Sequence, residues 1–392
     1  MVIKCARLAA QEVLSDFINL KLGVPIMGTT VVAFGDVKAQ KKWSANLAVD
    51  TRKKSYWENR FVGVDDNNII QRKTELETDA GDTISFDLCV QMRAKPTYGD
   101  ARLEGKEESL KFYTDQVIID QVRHAASAGG KMSRKRTAYD MRMIAKNRLG
   151  DYFARLVDEL MFIYLSGARG VNEDFIEDVG YTGFAGNALT APDTGHLLYG
   201  GSATSKASLT AADTMTVTVV EKAANKAEMM QARSPQTANM VPVSTGSDEN
   251  YVLLMSPFQE YSLRTNAGTA QWIDIQKAAA AAEGRKSPIF MGGMGMINSV
   301  VLHKHRNAIR FNDYGAGSNV LAARALFMGR QAGVVAYGTA GGLRYSWEEN
   351  TKDYGNEPTV ASGFIGGIKK TVFNGRDFGV LSLDTAAADP NP

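Results

Sequence analysis

The chain has 392 residues, 44% hydrophobic and 22% charged, with a formal net charge of +2. That length carries a sizeable core and about two or three domains, and the composition excludes a fibrous repeat, global disorder and a small scaffold that needs staples. Cys5 and Cys89 stand alone, without CxxC or Cys/His spacing, which implies a reducing compartment and no disulfide framework. Lys4 and Arg7 precede Glu12 and Asp16, which interrupt any apolar signal core, and nowhere do about 20 apolar residues follow one another, so neither export nor a membrane partner is expected. Charge alternates in blocks: basic in 1–60 and 121–170, acidic in 61–120 and 171–250. Such blocks either complement one another within and between copies or are simply solvated faces.

In chain order, residues 13–22 form a short amphipathic piece that Gly23, Pro25 and Gly28 break. Residues 41–61 mix basic side chains with Trp43, Tyr56 and Trp57, suiting either a segment laid across another surface or an ordinary amphipathic helix. Ile84, Phe86, Leu88, Val90 and Met92 alternate as in a half-buried strand, and residues 111–122 read as its returning partner. Between them, residues 93–110 (RAKPTYGDARLEGKEESL) are polar and far longer than a hairpin turn. A loop of that size either projects to touch something or is a surface excursion. Tyr98, Arg102, Glu104, Lys106, Glu107 and Glu108 are its candidate contact residues.

The basic run 123–136 follows, with Gly129 and Gly130 as a hinge and Arg123, Lys131, Arg134, Lys135 and Arg136 as candidate inner-surface or interface cations. Residues 133–165 read as one long helix. Phe153, Leu156, Val157, Leu160, Met161 and Tyr164 form its buried face; Arg148, Asp151, Arg155, Asp158 and Glu159 form the wet one. Thr137 with Asp140 resembles a capping box, Gly167 suits a left-handed cap, and Gly150 invites a bend or close backbone contact. Cations at the start of that rod would oppose its dipole, which points to a partner anion, either nucleic acid phosphate or a neighbour's acidic loop. Beyond it come loops at 168–209, a helix around 221–231, a strand at 251–256, helices at 257–263 and 272–283, and strands within 289–303, 333–338, 343–347 and 363–383. Strands and helices mix without βαβ alternation, so the fold class is α+β.

Catalytic chemistry finds little purchase. Of four histidines only His303 and His305 are close; sharing a strand face they could hold two positions of a metal site, but the flanking Lys304 and Arg306 favour an exposed basic strand end. The glycines of 292–295 and 363–367 complete neither GxGxxG nor a Walker loop, no GxSxG elbow occurs, and water would level Glu107 and Glu108. No enzyme, cofactor or metal is expected.

Three blocks, KKWSANLAVDTRKKSYWENRFVG (41–63), IIQRKTELETDAGDTISFDL (69–88) and KMSRKRTAYDMRMIAKNRLGDYFARLVDELMFIYLSGARG (131–170), resemble the major capsid proteins of short-tailed phages of the N-four type, with a looser likeness through GGMGMINSVVLHKHRN and ARALFMGRQAGVVAYG. The resemblance implies the Hong Kong 97-type fold. Its parts would be an N-terminal arm (1–79), an E-loop hairpin (80–122), a peripheral domain with a spine helix at about 133–166 (123–184), an axial domain (185–342), and return strands with a tail (343–392). It also implies hexamers and pentamers of an icosahedral shell in the virion around double-stranded DNA, after assembly in the host cytoplasm with a separate scaffolding protein, a portal protein and, as an optional outer component, a decoration protein. Some relatives crosslink a loop lysine to an asparagine; Lys106 and Lys111 lie on the loop, but no partner can be assigned. The competing readings are a same-fold nanocompartment around cargo protein and an α+β enzyme with a hidden site.

Overall fold

The computed structural model describes residues 55–391, apart from 59, 79, 138, 234–236, 246–247, 284–287, 291 and 340–345. Cys5, the amphipathic piece at 13–22, residues 1–54 of the expected arm, most of the 41–61 segment and the start of the 343–347 strand lie outside the described residues.

A turn at 56–58 leads into β1 (Val62–Gly63) and β2 (Ile70–Lys73), which pair in parallel. β3 (Thr83–Cys89) and β4 (Phe112–Ile118) form an antiparallel hairpin, Thr83 opposite Ile118 and Cys89 opposite Phe112. Period-two alternation made this pair legible: Ile84 is buried while Thr83, Ser85 and Asp87 face solvent. The returning strand expected across 111–122 is in fact two. The Ile119 N–H closes the ladder on Asp82 O at 2.8 Å, and β5 (Asp120–Ser127) then pairs in a different sheet.

The single rod expected at 133–166 is also two helices, α1 (Lys131–Arg136) and α2 (Met141–Ser166). Thr137 is extended, its hydroxyl accepts the Tyr139 N–H at 3.1 Å, and Asp140 Oδ1 accepts the Met143 N–H at 3.2 Å. The two side chains end one helix and cap the next instead of sharing a box. α2 has 26 residues, about 39 Å of helix, and Gly167 closes it at φ +67°. A Cβ on Gly150 would meet open space, so this glycine serves no close contact. From Leu156 to Ser166 the helix is buried all round, Asp158 and Glu159 included, which corrects their placement on a wet face. Both carboxylates are consumed by backbone: Asp158 takes the Tyr56 N–H at 2.9 Å, and Glu159 takes those of Ile176 and Glu177 at 2.8 Å each.

Beyond α2, β6 (Gly183–Phe184) and β7 (Asn187–Ala188) pair alone, and β8 (Leu197–Tyr199), α3 (Val217–Arg233), β9 (Val243–Thr245) and β10 (Asp248–Met255) follow. α4 (Pro257–Glu283) runs unbroken where two helices were expected, because Ser262 and Thr265 bond back to the carbonyls of Phe258 and Tyr261 rather than capping a new helix. β11 (Gly295–Ile297), β12 (Val300–Lys304), β13 (Arg310–Tyr314), β14 (Val320–Met328), β15 (Gly333–Tyr337), β16 (Ser346–Lys352), β17 (Glu357–Lys370), the β18 (Val372–Phe373) and β19 (Arg376–Asp377) pair, and β20 (Val380–Ala386) complete the order.

One sheet runs β11-β12-β10-β14-β20-β8, with β9 and β13 attached; a second runs β1-β2-β15-β17-β16, with β5 on β17. The near-continuous apolar runs of β10, β14 and β20 mark strands covered on both faces. Alternate side chains divide between two cores: Val252, Leu254, Leu326 and Met328 pack with Phe153, Leu160 and Phe162 of α2, whereas Tyr251, Leu253, Ala325 and Phe327 pack with Val220 and Ala224 of α3 and Leu263 of α4. The described residues fall into two compact units. One holds Ala125–Asn147 and Glu348–Ala361; the other holds the residues up to His124, Arg148–Trp347 and those from Ser362 onward.

Candidate assembly surfaces

The β3–β4 hairpin is braced at its base and open at its tip. Lys369 donates to Asp115 Oδ1 and, at 2.9 Å, to Gln116 O, while the Val372 N–H reaches Asp115 Oδ2 at 3.1 Å. One carboxylate thereby joins the hairpin to the end of β17. Past the Val90 N–H bond to Lys111 O, the ladder is continued by a side chain: the Glu108 carboxylate accepts the N–H groups of Arg93 (2.7 Å) and Ala94 (2.6 Å). Those backbone donors, Ala94 first and then Arg93, hold the Glu108 carboxyl below the usual range against a smaller opposing effect of burial, so water does not level this acid as the sequence suggested. Within the loop Arg102 pairs with Glu104, the Gly105 N–H reaches Glu107 at 2.8 Å, and the Lys106 N–H closes a turn on Leu103 O. Tyr98 is 79% and Leu103 62% exposed, and Met92, Leu110 and Phe112 are exposed beside them. These large apolar side chains point outward and add nothing to the core of the free chain.

The basic run lies differently from the way its sequence suggested. Arg134, Lys135 and Arg136 occupy the last turn of α1, where cations favour the helix dipole, so a partner anion is no longer needed to explain them. Arg134 Nη2 donates to Asn356 O at 3.2 Å; Lys131, Lys135 and Arg136 are exposed, as is Arg123 on β5. Gly129 adopts φ +75° and Gly130 caps α1. The corner is tied on both sides, by Ala128 N–H to Pro358 O (3.0 Å) and Lys131 N–H to Asn356 Oδ1 (3.1 Å).

His303 is buried rather than at an exposed strand end: Nε2 is 2.8 Å from Ile289 O and Nδ1 is 3.2 Å from the Tyr56 hydroxyl. Neither nitrogen is left for a metal, and no cluster of three or more potential ligands occurs among the described residues. Missed in the sequence were Tyr56, Asp158 and the rings around them; the only signal was the aromatic density of 56–61, which periodicity cannot assign to a face.

The chain is 68% identical to the capsid protein in the solved structure of the capsid of Ralstonia phage GP4, which matches 93% of this chain and all of that one with a TM-score of 0.85. The cyanophage Pam1 capsid subunit shares the fold at 22% identity, over 91% of this chain and all of that one, with a TM-score of 0.69. The architecture is thus the Hong Kong 97-type fold of tailed-phage shells, and the protein is a structural shell subunit, not an enzyme. Residues 31–389 match the Phage capsid protein family, and the chain belongs to it. A curated relative, the major capsid protein of Pseudomonas phage KPP25, is 27% identical over 357 residues, covering 84% of this chain and 90% of that protein. These relatives favour the phage shell over the nanocompartment.

Proposed function

We propose that many copies of this subunit close into an icosahedral shell of hexamers and pentamers around double-stranded DNA, with the 93–110 loop of each copy covered by its neighbour. The reading is supported chiefly by the agreement with the Ralstonia phage GP4 capsid along nearly the whole chain. The mechanism is association: apolar side chains such as Tyr98 and Leu103 lose water against another copy, and an obligate contact of this kind covers about 2,000 Å² or more. Arg102, Glu104, Lys106 and Glu107 set the register of that contact by charge. Rearrangement at Gly129 and Gly130 requires release of the two hydrogen bonds that tie the corner. Residues 123–184 serve as the peripheral domain and 185–342 as the axial one. A scaffolding protein acts during assembly, a portal protein joins the shell, a decoration protein is an optional outer component, and assembly takes place in the host cytoplasm.

Expression of the chain alone and with its scaffolding gene, followed by electron microscopy, tests this. Closed shells are expected; uniform small oligomers in both preparations would rule the reading out. The exposed cations Lys131, Lys135 and Arg136 are assigned to non-specific contact with phosphate. Their joint replacement by glutamine is expected to leave shell yield intact and to increase DNA loss on raising the salt, as weaker phosphate neutralisation requires. Unchanged DNA retention would make them a solvated helix end.

A further inference from the structure

The turn that joins residues 1–54 to the rest of the chain is held by polar groups unusual for a core. Asp158 of α2 accepts Ser55 Oγ–H at 2.6 Å and the Tyr56 N–H at 2.9 Å. The Tyr56 ring lies 4.6 Å from the His305 ring, and His305 stacks on Phe162 at 4.9 Å with an interplanar angle of 20°. Phe61 meets His303 edge-on at 5.4 Å. Because a carbonyl only accepts, the contact with Ile289 O places the His303 proton on Nε2, and neutral Nδ1 then accepts from the Tyr56 hydroxyl.

We propose that Tyr56, His303 and Asp158 form an acid-sensitive latch that holds residues 55–61 on α2 and β12 at neutral pH and lets them go when His303 takes up a second proton.

Neutral His303 suits its surroundings and a charged one does not. Against it stand the Tyr56 hydroxyl, the Ile289 carbonyl and the Phe61 ring, with Arg60 near enough to act on its charge; Lys304 and His305 follow it in the chain. Arg60 lies over the Tyr56 ring at 4.6 Å and would repel an imidazolium. The carboxylates nearby are engaged: Asp158 with the turn's donors, Glu58 with the Tyr337 hydroxyl, while Lys304 pairs with Glu260 at 3.5 Å. Burial pushes His303 from the ordinary 6.5 down to about 4; the Ile289 contact partly offsets this and Arg60 adds to it. A base depressed in the closed state contributes stability that is complete above about 6.5 and is lost as pH falls towards 4, because only the open state binds the proton. Asp158 acts with the opposite sign. Burial raises its carboxyl against the hydrogen bonds from Ser55, Tyr56 and Trp57, so protonation there favours the closed state. His303 therefore carries the release.

The test is hydrogen exchange on the full-length subunit, comparing residues 55–62 with β10 as pH is lowered and correcting for intrinsic exchange rates. Between pH 6.5 and 5 the protection of 55–62 should fall about 15-fold, the slope approaching ten for each pH unit once the open-state imidazole is fully protonated, while β10 keeps its protection. His303→Gln, which retains a donor for Ile289 O but cannot titrate, should abolish the fall; Asp158→Asn should keep it. Protection of 55–62 that stays constant, that falls in step with β10, or that falls equally in His303→Gln would each overturn the latch. The wild-type comparison between segments decides the matter even if a variant does not fold.

Discussion

Replacing Asp384 by alanine is expected to destabilise the subunit by about 3 to 5 kcal/mol, because it strands a buried guanidinium. Arg324 and Asp384 are register partners on β14 and β20, joined by Nε to Oδ1 and Nη2 to Oδ2 at 2.7 Å each. Tyr314 donates to the same carboxylate at 2.6 Å, and Arg324 Nη1 reaches Ser166 O, a carbonyl at the end of α2, at 2.7 Å. Asp384 is fully buried and Arg324 is 7% exposed, so water cannot replace what the substitution removes. The network both neutralises two charges and pins the end of α2 to the centre of the eight-stranded sheet. Burial, reinforced by Asp384 and opposed by Arg324, holds the Tyr314 phenol far above its ordinary value, so it stays protonated and donates to the carboxylate. Urea unfolding of the isolated subunit measures the loss. The double variant Arg324→Met with Asp384→Leu is expected to recover all but about 1 to 2 kcal/mol, since an apolar pair of similar volume needs no compensating charge. A loss below about 1 kcal/mol in the single variant would show that the guanidinium finds another partner, and the brace would be discarded.

None of that network was legible in the sequence, and the reason is physical. Arg324 sits within LAARALFM and Asp384 within VLSLD, runs whose periodicity says only that a strand is buried. Pairing between residues 60 apart depends on sheet order, which no local pattern encodes. What depended on local pattern was readable. Alternation gave the β3–β4 hairpin, spacing gave the buried face of α2, and glycine in the left-handed region gave its end at Gly167. The misplacement of Asp158 and Glu159 came from the same source: a charged side chain reads as solvated unless distant donors supply hydrogen bonds, and the Ser55 hydroxyl with the backbone of Tyr56, Trp57, Ile176 and Glu177 does so. Capping residues proved ambiguous in a narrower way. Thr137 and Asp140 stand three apart, as in one box, yet each bonds locally and the helix breaks between them. That break reversed the electrostatic meaning of the basic run, moving three cations from a helix start to a helix end.

Deleting residues 97–107 is expected to abolish closed shells while leaving the subunit as stable as before. Ladder pairing continues from Cys89 opposite Phe112, and Glu108 fastens Arg93 and Ala94, so the deletion leaves Lys95 and Pro96 as a two-residue link within the range of ordinary hairpins. The removed segment contributes no core: Tyr98 and Leu103 are exposed, and a side chain at Gly99 or Gly105 would touch nothing. Its loss should therefore change subunit stability by less than about 0.5 kcal/mol. On the proposed assembly the same residues would be covered by another copy. Losing about 1.5 kcal/mol or more for each of two large apolar side chains at every such contact weakens each association constant on the order of 100-fold. Because each subunit makes several contacts, a closed shell compounds that factor, whereas a dimer meets it once. Urea unfolding and sedimentation of the deleted subunit, with electron microscopy beside wild type, separate the outcomes. A folded subunit without shells assigns the loop to assembly. Normal shells from the deletion would remove the loop from the assembly mechanism, and a destabilised subunit would mean that the loop supports its own hairpin through contacts in the free chain.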